Sequence, residues 1–203
     1  ALIDPFSGTE NAGKTLLQQA QLRGYNVIGD KSALAGVSSA DQDTPLLGLF
    51  GDGNLPVRYT GPQATVGGST LPAQRCTPNT ARPDSQPTLA EMTKKAIDLL
   101  DNDKGFFLQV EGASIDKSDH AADACGLIGE TEQIDEVIKE ALDFAKKDKD
   151  TLIVVTADHA HTAEIVPDGQ PSVSPVTRLR SPKDGGAVMS VAFGTVPWET
   201  FES

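Results

Sequence analysis

Apolar positions change their period several times along the chain, and each change marks an element. In "TLAE", Thr88 and Glu91 form a capping-box pattern, and Leu89, Met92, Ala96, Leu99 and Leu100 then fall on one helical stripe. A second stripe, Ile134, Val137, Ile138, Ala141, Leu142 and Ala145, predicts a helix from about Thr131 to Lys147. "AGKTLLQQAQLR", residues 12–23, reads as a helix that stops at Gly24. Short apolar runs predict strands: "YNVIG" after Gly24, "PLLGLF" from Pro45, Phe106 to Val110, "TLIVVT" from Thr151, and "AVMSVAFG" from Ala187.

Strands alternating with helices imply an α/β fold: a largely parallel central sheet with helices on both faces, and sites gathered at the carboxyl ends of strands. The chain reads as a single domain over 1–203. Two stretches crowded with glycine and proline, at about 51–87 and 162–185, read as surface excursions.

The net charge of −12 argues against nucleic acid as a polymer partner, which needs a basic face to displace counterions. It leaves a small phosphate substrate open, because a bound divalent metal reverses the local field. The longest apolar runs are strand-sized, so no membrane span is expected, and "ALIDPF" lacks the pattern of a signal peptide. Cys76 and Cys125 lie in loop-like surroundings and read equally well as free thiols or as a bridge.

Chemistry concentrates at two expected strand ends. In "GFFLQVEGASIDKSDHAADACG", Glu111 follows an apolar run, and the Asp116–His120 spacing puts both side chains on one face if the segment coils. "TLIVVTADHAH" repeats the pattern with Asp158, His159 and His161, so all three histidines of the chain sit in these two motifs. Imidazole with carboxylate suits zinc, and oxygen-rich positions suit magnesium. Each site is short of the three protein ligands that a catalytic zinc takes. Ser114, Ser118 and Ser85 lack an activating partner in the sequence and read as loop serines. Asp119 reads either as orienting a ligand or as facing solvent.

These motifs, with "PLLGLFGDGNLPVR" and "CTPN" upstream, closely resemble bacterial alkaline phosphatases, in the same order from about Gly13 to Gly194. The resemblance implies an exported, periplasmic or secreted homodimer with an α/β fold, two zinc ions and one magnesium. It implies that Asp116 and His120 ligate one zinc, Asp158 and His159 the second, and that Glu111 contributes to magnesium. His161 then supports the metals from behind, Lys117 holds phosphate through water, and Cys76 pairs with Cys125.

The resemblance covers the latter part of the family's sequence. The family's nucleophilic serine, its phosphate-clamping arginine, the aspartate shared by zinc and magnesium, and the last zinc histidine have no counterpart in this chain. The implied activity is hydrolysis of phosphate monoesters, with release of inorganic phosphate, through a phosphoserine. The alternatives are an inactive metal-binding fragment of such an enzyme, or a related phosphodiesterase or sulfatase.

Overall fold

Helix starts follow from side-chain caps. In α1 (Leu16–Leu22), the Thr15 hydroxyl accepts the Gln18 N–H and the Gln18 side chain accepts the Thr15 N–H, while Gly24, at φ 85°, follows the last turn. The computed structural model describes residues 12–181 and 186–194. They form two compact units: one of residues up to Gly53 with Asp84–Leu108, the other of Asn54–Pro83 with the residues from Gln109 onward.

In the first unit, β1 (Asn26–Ile28) and β2 (Leu46–Gly48) pair in parallel, with α2 (Lys31–Gly36) crossing between them. Asp30 caps α2 by accepting the Ala33 N–H at 2.8 Å. Lys95 Nζ closes its far end by donating to the carbonyls of Ala35 and Val37. That lysine lies on α3 (Leu89–Leu100), whose Thr88–Glu91 capping box is formed as expected. Ile28, Leu34 and Val37 form the core, with Leu46, Phe50, Met92 and Leu99 against it.

In the second unit, β3 (Tyr59–Thr60) pairs antiparallel with β4 (Thr77–Pro78). Helix α4 (Ser114–His120) leads by a sharp turn into α5 (Ala124–Ala145). β5 (Ala163–Val166), β6 (Val176–Arg180) and β7 (Val188–Phe193) form an antiparallel sheet in the order β5-β7-β6. The core joins Ala122, Ala124 and Cys125 at the α4–α5 junction to Leu179, Val191 and Phe193 of the sheet. Three ties hold residues 54–83 on this core. Cys76 is disulfide-bonded to the fully buried Cys125. Arg58 grips Glu136 of α5 through two hydrogen bonds of 2.8 and 2.7 Å. The turn at Gly68–Thr70 lies on β6 so closely that a Cβ on Gly68 would overlap the Val176 carbonyl oxygen.

The α/β class stands, with mixed strand pairing: parallel between β1 and β2, antiparallel in the other ladders among the described residues. Helix α5 begins at Ala124 instead of near Thr131. Gly126 and Gly129 dilute the helical signal there, but Gly129 lets β3 approach: a Cβ would meet Tyr59 Cδ2 at 2.9 Å and Arg58 Cβ at 3.0 Å. The stretch from 162, expected as an excursion, supplies β5 and β6, and Val176, Thr177 and Leu179 of β6 are buried. Pro167, Gly169, Pro171 and Pro175 lie in the connection between them.

The expected strands Phe106–Val110 and Thr151–Thr156 belong to no strand ladder among the described residues. Phe107 is 87% exposed, Leu152 85% and Val154 74%. A strand exists by its ladder, and an apolar run without a neighbour stays extended and wet.

Candidate metal centre

Helix α4 places the first motif. Asp116 and His120 lie one turn apart, with Asp116 Oδ1 3.7 Å from His120 Nε2. Ser118, between them, donates its hydroxyl to the Ser114 carbonyl at 2.7 Å and is buried, which is a packing role within the helix. After His120 the chain reverses through Ala122, which adopts the left-handed region at φ 52°. Asp123 then caps α5 by accepting the Gly126 N–H.

The second motif arrives from the extended segment after α5. His159 Nε2 lies 3.5 Å, and His161 Nε2 3.8 Å, from the same Asp116 Oδ1. The rings of His120 and His161 meet edge-on with centroids 4.6 Å apart. Asp116, His120 and His161 each present a donor atom within 4.8 Å of the others. One carboxylate ringed by three imidazoles is a donor set that suits zinc.

Backbone contacts separate the two later histidines. His159 Nδ1 lies 3.0 Å from the Ala160 carbonyl, which only accepts, so Nδ1 carries the proton and Nε2 offers its lone pair. That hydrogen bond, followed by the Asp158 charge, raises the pKa of His159. At His161 the polarity is reversed: the Thr162 N–H donates to Nδ1 at 2.9 Å, so Nε2 carries the proton towards Asp116. His159 thus turns an unprotonated nitrogen, and His161 a protonated one, towards Asp116.

The remaining expected residues divide. Asp158 is nearly fully exposed, with Oδ2 3.7 Å from His159 Nε2. Glu111 and Lys117 are exposed and stand outside the Asp116–His120–His161 group. Asp119 faces away from solvent: it is 5% exposed, and its Oδ1 lies 3.5 Å from His161 Nδ1. Burial pushes its carboxyl above the usual range. The convergence of both motifs on Asp116 is the feature that sequence spacing did not reveal.

The cysteines that the sequence left open are joined, in keeping with an oxidising compartment. Among the described residues no helix is long and apolar enough to cross a membrane.

Comparison with known proteins places these features. The alkaline phosphatase family profile matches residues 3–201. An alkaline phosphatase of Escherichia coli (strain K12) is 57% identical over 185 residues, covering 90% of this chain and 39% of that protein. Streptomycin-6-phosphate phosphatase of Streptomyces griseus is 44% identical over 200 residues, covering 94% of this chain and 43% of that protein. The crystal structure of a cold-active alkaline phosphatase from a psychrophilic Shewanella superposes with a TM-score of 0.58 at 28% identity, over 81% of this chain and 35% of that one. The chain therefore spans about two fifths of the curated relatives it matches.

Proposed function

The chain belongs to the alkaline phosphatase family, and from that premise we propose that the whole protein hydrolyses phosphate monoesters at a centre of two zinc ions and one magnesium. The observation that carries this reading is the convergence of His120, His159 and His161 on one oxygen of Asp116. The similarity to a relative named streptomycin-6-phosphate phosphatase favours phosphate monoesters over diesters and sulfates.

In this reading Asp116 and His120 hold the first zinc, Asp158 and His159 the second, and Glu111 contributes to magnesium. When bound, such metals supply Lewis acidity that polarises a phosphoryl oxygen and lowers the pKa of the attacking hydroxyl. His120 and Asp116 are set at helical spacing on one rigid turn, so their separation changes little when charge arrives. His159 presents an unprotonated Nε2 because its other nitrogen is occupied by the Ala160 carbonyl. His161 Nε2–H faces Asp116 Oδ1 at 3.8 Å and biases how the carboxylate is turned. Lys117, on the exposed side of α4, holds the phosphate through water. The reaction passes through a phosphoserine, and Ser118 does not supply it, because its hydroxyl is committed to the Ser114 carbonyl.

The same reading takes inorganic phosphate as product, a homodimer as the assembled state, and the periplasm or the exterior as the compartment. The disulfide supports that compartment.

The test is hydrolysis by the whole protein of an aryl phosphate monoester, the matching diester and the matching sulfate, before and after exhaustive chelation. The reading predicts turnover of the monoester, lost on chelation and restored by zinc with magnesium. Turnover that survives chelation would sink it.

A further inference from the structure

Asp119 has no task in the proposal above, yet it is among the most buried charged residues described. Its Oδ1 finds no hydrogen-bond partner among the described residues. A carboxylate oxygen stranded in this way is costly, and natural interiors retain few of them. Its surroundings show what it holds. The Ala163 N–H donates to the Asp119 carboxylate, and Oδ1 lies 3.5 Å from His161 Nδ1. The preceding N–H, that of Thr162, donates to the same Nδ1. Asp119 thus ties α4 to the three residues that lead into β5, with the His161 ring between the tie and Asp116.

The geometry points to Asp119 as a positioning residue that fixes the His161 ring against Asp116 by accepting the Ala163 N–H; the inference rests on the metal-site reading above. Two carboxylates one turn apart on α4 thus face opposite nitrogens of one imidazole: Asp116 lies 3.8 Å from Nε2 and Asp119 3.5 Å from Nδ1. Without the acceptor on Asp119, the entry to β5 is held from the β7 side alone, and Nε2–H is less firmly aimed. An asparagine keeps the acceptor and so keeps the position.

The test is zinc affinity of the 203-residue chain, by competition with a chromophoric chelator, for wild type, Asp119→Ala, Asp119→Asn, His161→Ala and the Asp119→Ala/His161→Ala pair. Asp119→Ala is expected to weaken zinc binding about 10–100-fold, the usual effect of losing a partner behind a ligand. Asp119→Asn is expected within about 2-fold of wild type, and the double variant within about 2-fold of His161→Ala alone. Asp119→Leu, of similar volume but without an acceptor, replaces the alanine variant if that one fails to fold.

An alanine variant that binds zinc like wild type overturns the inference. So does one whose loss is the same with and without His161, since Asp119 would then act only as general scaffold. A second readout needs no metal: imidazole ¹⁵N resonances of the metal-free chain should show His161 as one tautomer, protonated at Nε2, in wild type and Asp119→Asn, and a mixture in Asp119→Ala. If wild type binds no zinc, the metal-site reading falls while the resonances still judge Asp119; an unchanged tautomer in Asp119→Ala overturns the inference on that arm.

Discussion

Asp116 Oδ1 lies 3.5 Å from His159 Nε2, which joins a side chain on α4 to one from the far side of α5. The same oxygen faces His120 and His161, so a single atom organises the centre. Asp116→Ala should therefore weaken zinc binding by more than the roughly 10–100-fold that an indirect partner costs. The carboxylate is half-exposed, so the fold should persist, with an unchanged far-ultraviolet circular dichroism spectrum. Competition titration checks the claim, and unaltered affinity would place the zinc elsewhere.

The bridge between Cys76 and Cys125 closes a loop between residues 49 positions apart. Constraining the unfolded chain over that length is worth about 4 kcal/mol by the chain-entropy argument. Reduction, or replacement of both cysteines by serine, should lower the melting temperature of the second unit. Thermal unfolding with and without reductant measures it, and coincident transitions would mean that the ties from Arg58 and Gly68 suffice.

Asp168 is held down to about 2 by hydrogen bonds from the Arg178 guanidinium and then from the Ser190 hydroxyl. Its folded pKa lies below the ordinary 3.8, so the tie is at full strength above pH 4 and is lost as pH falls through 2. Urea unfolding of wild type and Asp168→Asn should differ at pH 6 and converge towards pH 2. The group is solvent-accessible, so salt should narrow the difference at pH 6.

Two glycines should respond in opposite directions. Gly68→Ala drives a methyl into the Val176 carbonyl and should destabilise by about 1–3 kcal/mol. Gly36 ends α2 in open space, so Gly36→Ala should stabilise by about 0.5–1 kcal/mol. Chemical denaturation of the two variants, compared through their midpoints, tests both signs.

Local chemistry was legible in the sequence, and long-range geometry was not. The Thr88–Glu91 cap, the glycine after α1 and the Asp116–His120 spacing all depend on residues within one turn of each other, and each was readable. The first two turns of α5 were hidden because Gly126 and Gly129 serve contacts with Ser118 and Tyr59, made by other segments. Asp119 was undecidable, since its burial depends on where β5 lies. The roles of His159 and His161 turn on one backbone acceptor and one backbone donor, neither of which spacing encodes. The apolar runs at Phe106 and Leu152 were correct as patterns, but a pattern does not supply the neighbouring strand.

Those two runs have a consequence for handling the chain. Phe107, Leu152, Val154 and Val155 present aliphatic and aromatic surface with no ladder partner among the described residues. Such segments template pairing with any other extended chain, another copy of this one included. Mutual repulsion from a net charge of −12 opposes that pairing at low ionic strength, and added salt screens it. Colloidal behaviour will therefore run opposite to ordinary salting-in: dilute buffer keeps the chain dispersed, and concentrated salt brings it out of solution.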